Sequence, residues 1–318
     1  MIARLTRLMI LWQLAMLALL SLLLLRFDVL PDWRLALLVS AIMLIMLRAS
    51  LVLNNFFLSR ALYQLCADGS RLGVAAAASM MWQELGFSLL CWFRLFPFSR
   101  PYCHHAPRDH LPAVLLLHGY GCNSGFWRRL HQRLNAQGIS HAAIDLEPIL
   151  GSIDDYAERI EAAATRLRHH NQMSELIVVA HSMGGLAARA WLRRYGRHGV
   201  ARIITLGTPH SGSLLAGYGI GINARQMLPV SAWRPEDRHW LSELGSSEDS
   251  ETRSLFLCFW SRQDNIVTPQ DSGALPGARN IAFDGIGHVA LGFDARVMQA
   301  VTEEITAVRQ SRSSAGSQ

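Results

Sequence analysis

The chain contains no lysine, and all 30 of its basic residues are arginine, so any membrane orientation has to be read from arginine alone. Cysteine is scarce. The five present, Cys66, Cys91, Cys103, Cys122 and Cys258, are odd in number and lack metal-type spacing. They read as buried thiols compatible with a reducing compartment, not as a disulfide framework or a metal site. His104-His105 and His169-His170 are adjacent pairs without the helical spacing or acidic partners that a metal needs, so no metal is expected. No basic cluster interleaves with aromatics and no nucleic-acid motif occurs. The net charge of +6 therefore fits attraction to anionic lipid better than binding of nucleic acid. No internal repeat is found either.

What is abundant is apolar sequence, 51% of 318 residues, and it is unevenly spread. Residues 8–25, LMILWQLAMLALLSLLLL, are uncharged, with Gln13 and Ser21 the only polar side chains; this is about the length of a spanning helix. Arg26-Phe27-Asp28 follows directly where a cleaved signal would need small residues, so a retained helix is expected. A second run, Leu35 to Leu53, is broken by Arg48. It spans if Arg48 sits near one end and reaches the headgroups; the alternative is a re-entrant or surface-lying helix. Pro31, Asp32 and Trp33 suit a hairpin with an interfacial aromatic. Arg4 and Arg7 before the first run, with Arg48, Arg60 and Arg71 after the second, outweigh Arg26 and Arg34 at the hairpin, which favours both ends in the cytoplasm. A third apolar stretch, Gly73 to Phe93, carries Glu84 near its centre. A charge there would cost about 2.5–3.5 kcal/mol in lipid, so this segment is expected to lie against the membrane or the protein.

Prolines 97, 101, 107 and 112 mark a linker, after which the pattern changes. Short runs rich in branched residues (AVLLL from Ala113, SHAAIDL from Ser140, ELIVVA from Glu175, ARIITL from Ala201, LFLCFW from Leu255, RNIAF from Arg279) alternate with helical segments near 125–137, 153–170, 183–195 and 293–309. Ser152 and Asp155 form a capping-box-like start for the second of these. Runs apolar throughout imply strands covered on both faces, hence an α/β fold with a mostly parallel sheet and a ligand site at the carboxyl ends of its strands. The expected organisation is a membrane anchor of two transmembrane helices at 1–54, an amphipathic juxtamembrane segment and linker at 55–110, the α/β domain at 111–309 and a disordered tail at 310–318.

Ser182 falls at a strand end immediately before a helix, in AHSMGG. A sharp strand-to-helix turn needs small residues two before and two after it, here Ala180 and Gly184, with Gly185 adding clearance. The usual nucleophile elbow is G-x-S-x-G, and this chain has alanine in the first position. The N–H of Met183 and that of Tyr120, in the loop His118-Gly119-Tyr120-Gly121, are expected to face a developing oxyanion. A serine needs a histidine base, and the base needs an acid to fix its tautomer. In the chain order Ser, acid, His, these are Asp264 after a later strand, with Asp284 as rival, and His288 in the loop after the next. His181 and His210 come too early in the chain, and His118 and His181 are expected to orient loops.

These residues resemble the α/β-hydrolase superfamily, particularly bacterial lipases and esterases, over about Leu111 to Val308. The stretch ITLGTPHSGS from Ile204 is similar to a lipase-type segment, RQMLP to one in lipase-like hydrolases, and the alanine elbow to that of a branch of small bacterial lipases. The resemblance implies an α/β-hydrolase sheet and ester hydrolysis through an acyl-enzyme, without a cofactor. The insertion at about 212–253, with Met227, Leu228, Trp233 and Trp240, is expected to be a helical cap; its tryptophans either line an acyl site or simply pack the cap onto the core. Combined with the anchor, this implies a lipase, esterase or phospholipase A acting on lipid or small-molecule esters at a bacterial inner membrane, the catalytic domain on the cytoplasmic side. An acyltransferase with the same triad and a noncatalytic interaction protein are the alternatives.

Overall fold

A computed structural model describes residues 1–63, 72–107, 110–171, 175–229 and 239–315. Cys66, Arg71 and Trp233 lie outside them. Two long helices come first, α1 (Ile2–Arg26) and α2 (Trp33–Tyr63), packed as a hairpin with Ser21 Oγ and Ser40 Oγ 3.1 Å apart between them. Their outward faces, including Leu11, Trp12, Leu22, Ile45 and Met46, are exposed, which suits helices solvated by lipid. Three helical stretches among the described residues are long and apolar enough to cross a membrane: Ile2–Arg26, Trp33–Ala61 and Val74–Leu95.

The anchor differs from the sequence reading in how it meets the rest of the chain. Helix α2 does not stop near residue 54; it runs on to Tyr63 and buries Ser59. Arg48 finds its partner in protein, its guanidinium 4.9 Å from the Trp92 ring and 5.7 Å from that of Phe93. Helix α3 (Val74–Leu90) buries Met80 and Glu84 and continues into a π-helical turn at Cys91–Leu95. Phe87 stacks on Phe293 at 4.9 Å, so α3 lies against the α/β domain.

The sheet has seven strands: β1 (Tyr102–His104), β2 (Ala113–Leu117), β3 (His141–Ile144), β4 (Leu176–His181), β5 (Val200–Leu206), β6 (Phe256–Ser261) and β7 (Arg279–Phe283). Their spatial order is β1-β3-β2-β4-β5-β6-β7, parallel except where β1 pairs with β3. Strand β1 lies inside what the prolines mark as linker. Side chains of the central strands β2 and β4 alternate between two cores, which explains why Ala113–Leu117 and Leu176–Ala180 are apolar at every position. Leu115, Leu117, Val178 and Ala180 pack with α5 (Tyr156–Asn171) and α6 (Met183–Tyr195). Val114, Leu116, Ile177 and Val179 pack with α4 (Arg128–Ala136) and the C-terminal helix, which spans Ala295–Ala315.

Ser152 and Asp155 form a complete capping box, on a single turn leading into α5. The insertion at 212–253 holds three short α-helices among the described residues, α7 (Ile222–Gln226), α8 (Trp240–Ser246) and, ending at its edge, α9 (Ser250–Ser254); the C-terminal helix is therefore α10. The expected disordered tail from Gln310 is instead helical through Ala315: no glycine or proline breaks the run before that point, and Arg312 Nη2 binds Glu175 Oε1 at 2.9 Å.

Candidate active site

Ser182 sits between β4 and α6 with φ 54° and ψ −129°, a conformation that costs a non-glycine residue energy. Its neighbours hold it there. Ser182 N donates to Leu206 O at 2.9 Å, and Thr208 Oγ1 donates to Ser182 O at 2.8 Å. The small residues are needed for contact. A Cβ on Gly184 would lie 2.6 Å from Leu117 O and 2.7 Å from His118 O, and one on Gly185 would lie 2.1 Å from Thr208 Oγ1. Gly119 passes close against Ser182, since a Cβ there would be 2.8 Å from the Ser182 Cβ. The His118–Gly121 loop thus reaches the Ser182 turn, and Met183 begins the helix that follows it.

Asp264 and His288 meet as a buried pair, His288 Nδ1 to Asp264 Oδ2 at 2.8 Å. The other carboxylate oxygen, Oδ1, accepts the N–H groups of Ile266 and Val267, each at 2.8 Å. Because an ionised carboxylate only accepts, His288 carries its proton on Nδ1, leaving Nε2 as an acceptor. Burial pushes the His288 pKa down, but the charge and hydrogen bond of Asp264, with a smaller contribution from the charge of Glu84, outweigh it and hold the group above its ordinary value. Among the described residues Ser182 Oγ makes no direct hydrogen bond to His288.

The other histidines make different contacts. His181 Nε2 contacts His288 O at 3.0 Å, the rings 4.7 Å apart, and burial with the nearby His288 drives its pKa well down. It braces the backbone of His288. His118 accepts Leu146 N–H at Nε2 (2.9 Å) and therefore donates from Nδ1 to Gly119 O (2.9 Å), fixing the loop over Ser182. His210 lies elsewhere, with Thr205 Oγ1 at 3.2 Å and Cys258 Sγ at 3.4 Å. Asp284, the rival acid, forms an exposed ion pair with Arg262 at 2.8 Å.

Of the cap residues, Trp240 donates Nε1–H to Asp154 Oδ2 at 2.8 Å and lies under Arg193, so it packs the cap onto the core. Buried Arg189 binds Glu248 through Nε and Nη2 at 2.6 and 2.9 Å, fastening α6 to the end of the insertion. Tyr120 Oη donates to Ile220 O (2.8 Å) and accepts from Ile220 N (3.0 Å), joining the loop over Ser182 to the cap.

Sequence reasoning missed the two buried polar side chains that reach the site from the apolar helices α2 and α3. Glu84 of α3 accepts the N–H groups of Val289 and Ala290, both at 2.9 Å, immediately after His288. Ser59 of α2 donates to Asp264 O at 3.0 Å. The only sequence signal was that Glu84 is a carboxylate misplaced in an apolar helix.

This arrangement is an α/β-hydrolase fold. Residues 108–215 match the model of a family described as serine aminopeptidase, S33, a stretch that includes Ser182 but neither Asp264 nor His288. Among solved structures, the mature form of the Bacillus licheniformis lipase BlEst2 superposes with a TM-score of 0.51 at 19% identity, covering 65% of this chain and 98% of the other. Aspergillus fumigatus lipase B gives 0.49 at 15% identity (61% and 52% covered), and a thermophilic esterase from Thermogutta terrifontis 0.46 at 19% (66% and 93%).

Proposed function

We propose that the protein is a membrane-anchored serine hydrolase that cleaves carboxylic esters of lipids through an acyl-enzyme on Ser182. The observation that carries this reading is the buried Asp264–His288 pair on loops beside the strained Ser182 turn. In it, His288 Nε2 takes the Ser182 proton as the hydroxyl attacks the ester carbonyl, and the imidazolium that forms is stabilised by Asp264. The N–H groups of Met183 and Tyr120 receive the oxyanion, and His288 returns the proton to the leaving alcohol. Water, activated by the same histidine, then releases the acid.

Lipid esters are favoured because the anchor keeps the site beside a bilayer. Buried Ile2 and Ser59 tie the far ends of α1 and α2 to the hydrolase domain, which supports a hairpin crossing twice with the domain on the side of its ends. The arginine balance supports the cytoplasmic face of a bacterial inner membrane. The test is hydrolysis of esters and phospholipids of increasing acyl length by detergent-purified protein. Activity that rises with chain length supports the lipid reading; activity confined to short soluble esters overturns it.

A further inference from the structure

The anchor does more than hold the enzyme at a membrane. We propose that Glu84 and Ser59, carried by the apolar helices α3 and α2, are positioning residues that hold the His288 and Asp264 loops, so that the catalytic geometry depends on these two helices being docked. This rests on the roles assigned above to Asp264 and His288.

The contacts are specific. Glu84 is buried, and its two oxygens divide the work, Oε1 taking Val289 N–H and Oε2 taking Ala290 N–H, each at 2.9 Å. Those are the two peptide groups that follow His288. On its other side, Gly287 is shaped to the carboxylate: a Cβ there would lie 2.5 Å from Glu84 Oε2. Both flanks of the histidine are therefore fitted to one side chain some 200 residues away in sequence. A carboxylate would gain nothing on an apolar helix unless it met such donors, since an unpaired buried carboxyl is expensive.

The acid is held in the same way from α2. Asp264 O accepts from Ser59 Oγ at 3.0 Å and from Gln270 Nε2 at 2.9 Å, while Ser59 Oγ also lies 2.9 Å from Thr268 Oγ1 and 2.9 Å from Gln270 Nε2. All four residues are buried. Phe87 on Phe293, with Arg129 5.1 Å from the Phe87 ring and bonded to Phe293 O at 2.9 Å, seats α3 beside the same loop. Pulling α3 away would expose the two N–H groups and loosen His288 without touching Ser182.

The experiment uses full-length protein in detergent with Glu84→Ala, Glu84→Gln, Ser59→Ala and, as a control on the exposed face of α3, Gln83→Ala. Amide exchange of the 285–293 segment is measured alongside kcat per serine titrated with a fluorophosphonate. The expected result is faster exchange at Val289 and Ala290 in Glu84→Ala, with kcat down about tenfold or more and KM little changed. Glu84→Gln, which keeps one acceptor, should fall between, and Gln83→Ala should match wild type. Unchanged exchange and unchanged kcat per titrated serine in Glu84→Ala would overturn the proposal. Should Glu84→Ala fail to fold, Glu84→Gln and Ser59→Ala carry the same readouts. A wild type that neither hydrolyses ester nor takes the fluorophosphonate would refute the hydrolase reading and with it catalytic positioning, while exchange would still report on the loop contact separately.

Discussion

Replacing Asp264 by asparagine tests whether this carboxylate sets the chemistry of His288 or merely fills space. Asparagine keeps the shape but offers one carbonyl oxygen and one NH2 group. The N–H groups of Ile266 and Val267 both point at Oδ1, so the carbonyl must occupy that position. The NH2 then faces His288 Nδ1, where Oδ2 stood at 2.8 Å. Two donors cannot share that contact, so the imidazole must move its proton to Nε2, the atom that has to accept from Ser182. A base locked in the wrong tautomer costs about 10⁴ in kcat in serine-protease triads, equivalent to roughly 5 kcal/mol of barrier. The assay is ester hydrolysis at saturating substrate, normalised to folded protein, with Asp284→Asn as control because that carboxylate is spent on Arg262 at the surface. Asp264→Asn retaining more than about a tenth of wild-type kcat would refute the tautomer argument.

Two further outcomes follow from the site. Gly184→Ala should destabilise the fold by about 1–3 kcal/mol and abolish activity, because its Cβ meets the carbonyls of Leu117 and His118, which are backbone and cannot yield; thermal unfolding and an ester assay check this, and a wild-type melting temperature would count against the packing. The kcat/KM profile should rise with pH through a midpoint above the ordinary histidine value of about 6.5, since His288 must be neutral to act and Asp264 favours its charged form; a midpoint below that value would contradict the assignment of its partner. The stability contribution has the opposite sign. A histidine pKa raised by folding stabilises fully below its unfolded value, and that contribution is lost as pH rises through the folded value, over the range in which activity appears.

The parallel strands were legible because burial on both faces leaves runs such as AVLLL and LIVVA with no polar position. The elbow was legible because steric demand restricts Gly184 and Gly185 to the smallest residues. Strand β1 escaped because three residues between prolines carry no periodicity, and it is held only by pairing with β3. The extension of α2 to Tyr63 escaped for a related reason: Asn54 and Asn55 end the apolar run, but the helix continues because Ser59 gains buried partners in the hydrolase domain. Glu84 was visible as an anomaly for a membrane helix. Its explanation needs Val289 and Ala290, which only the tertiary fold brings to it. Asp264 was named from the sequence with Asp284 as its rival because both follow strands; in the structure Asp264 pairs with His288 and Asp284 with Arg262.

Ser182 as the nucleophile is best tested by trapping it. Wild-type protein in detergent is treated with a fluorophosphonate or an activated lipid ester, digested and mapped by mass spectrometry, beside Ser182→Ala. The expected result is a single adduct on the peptide containing Ser182, absent from the variant together with ester hydrolysis. Hydrolysis that persists in Ser182→Ala, or an adduct on another residue in the wild type, would contradict it.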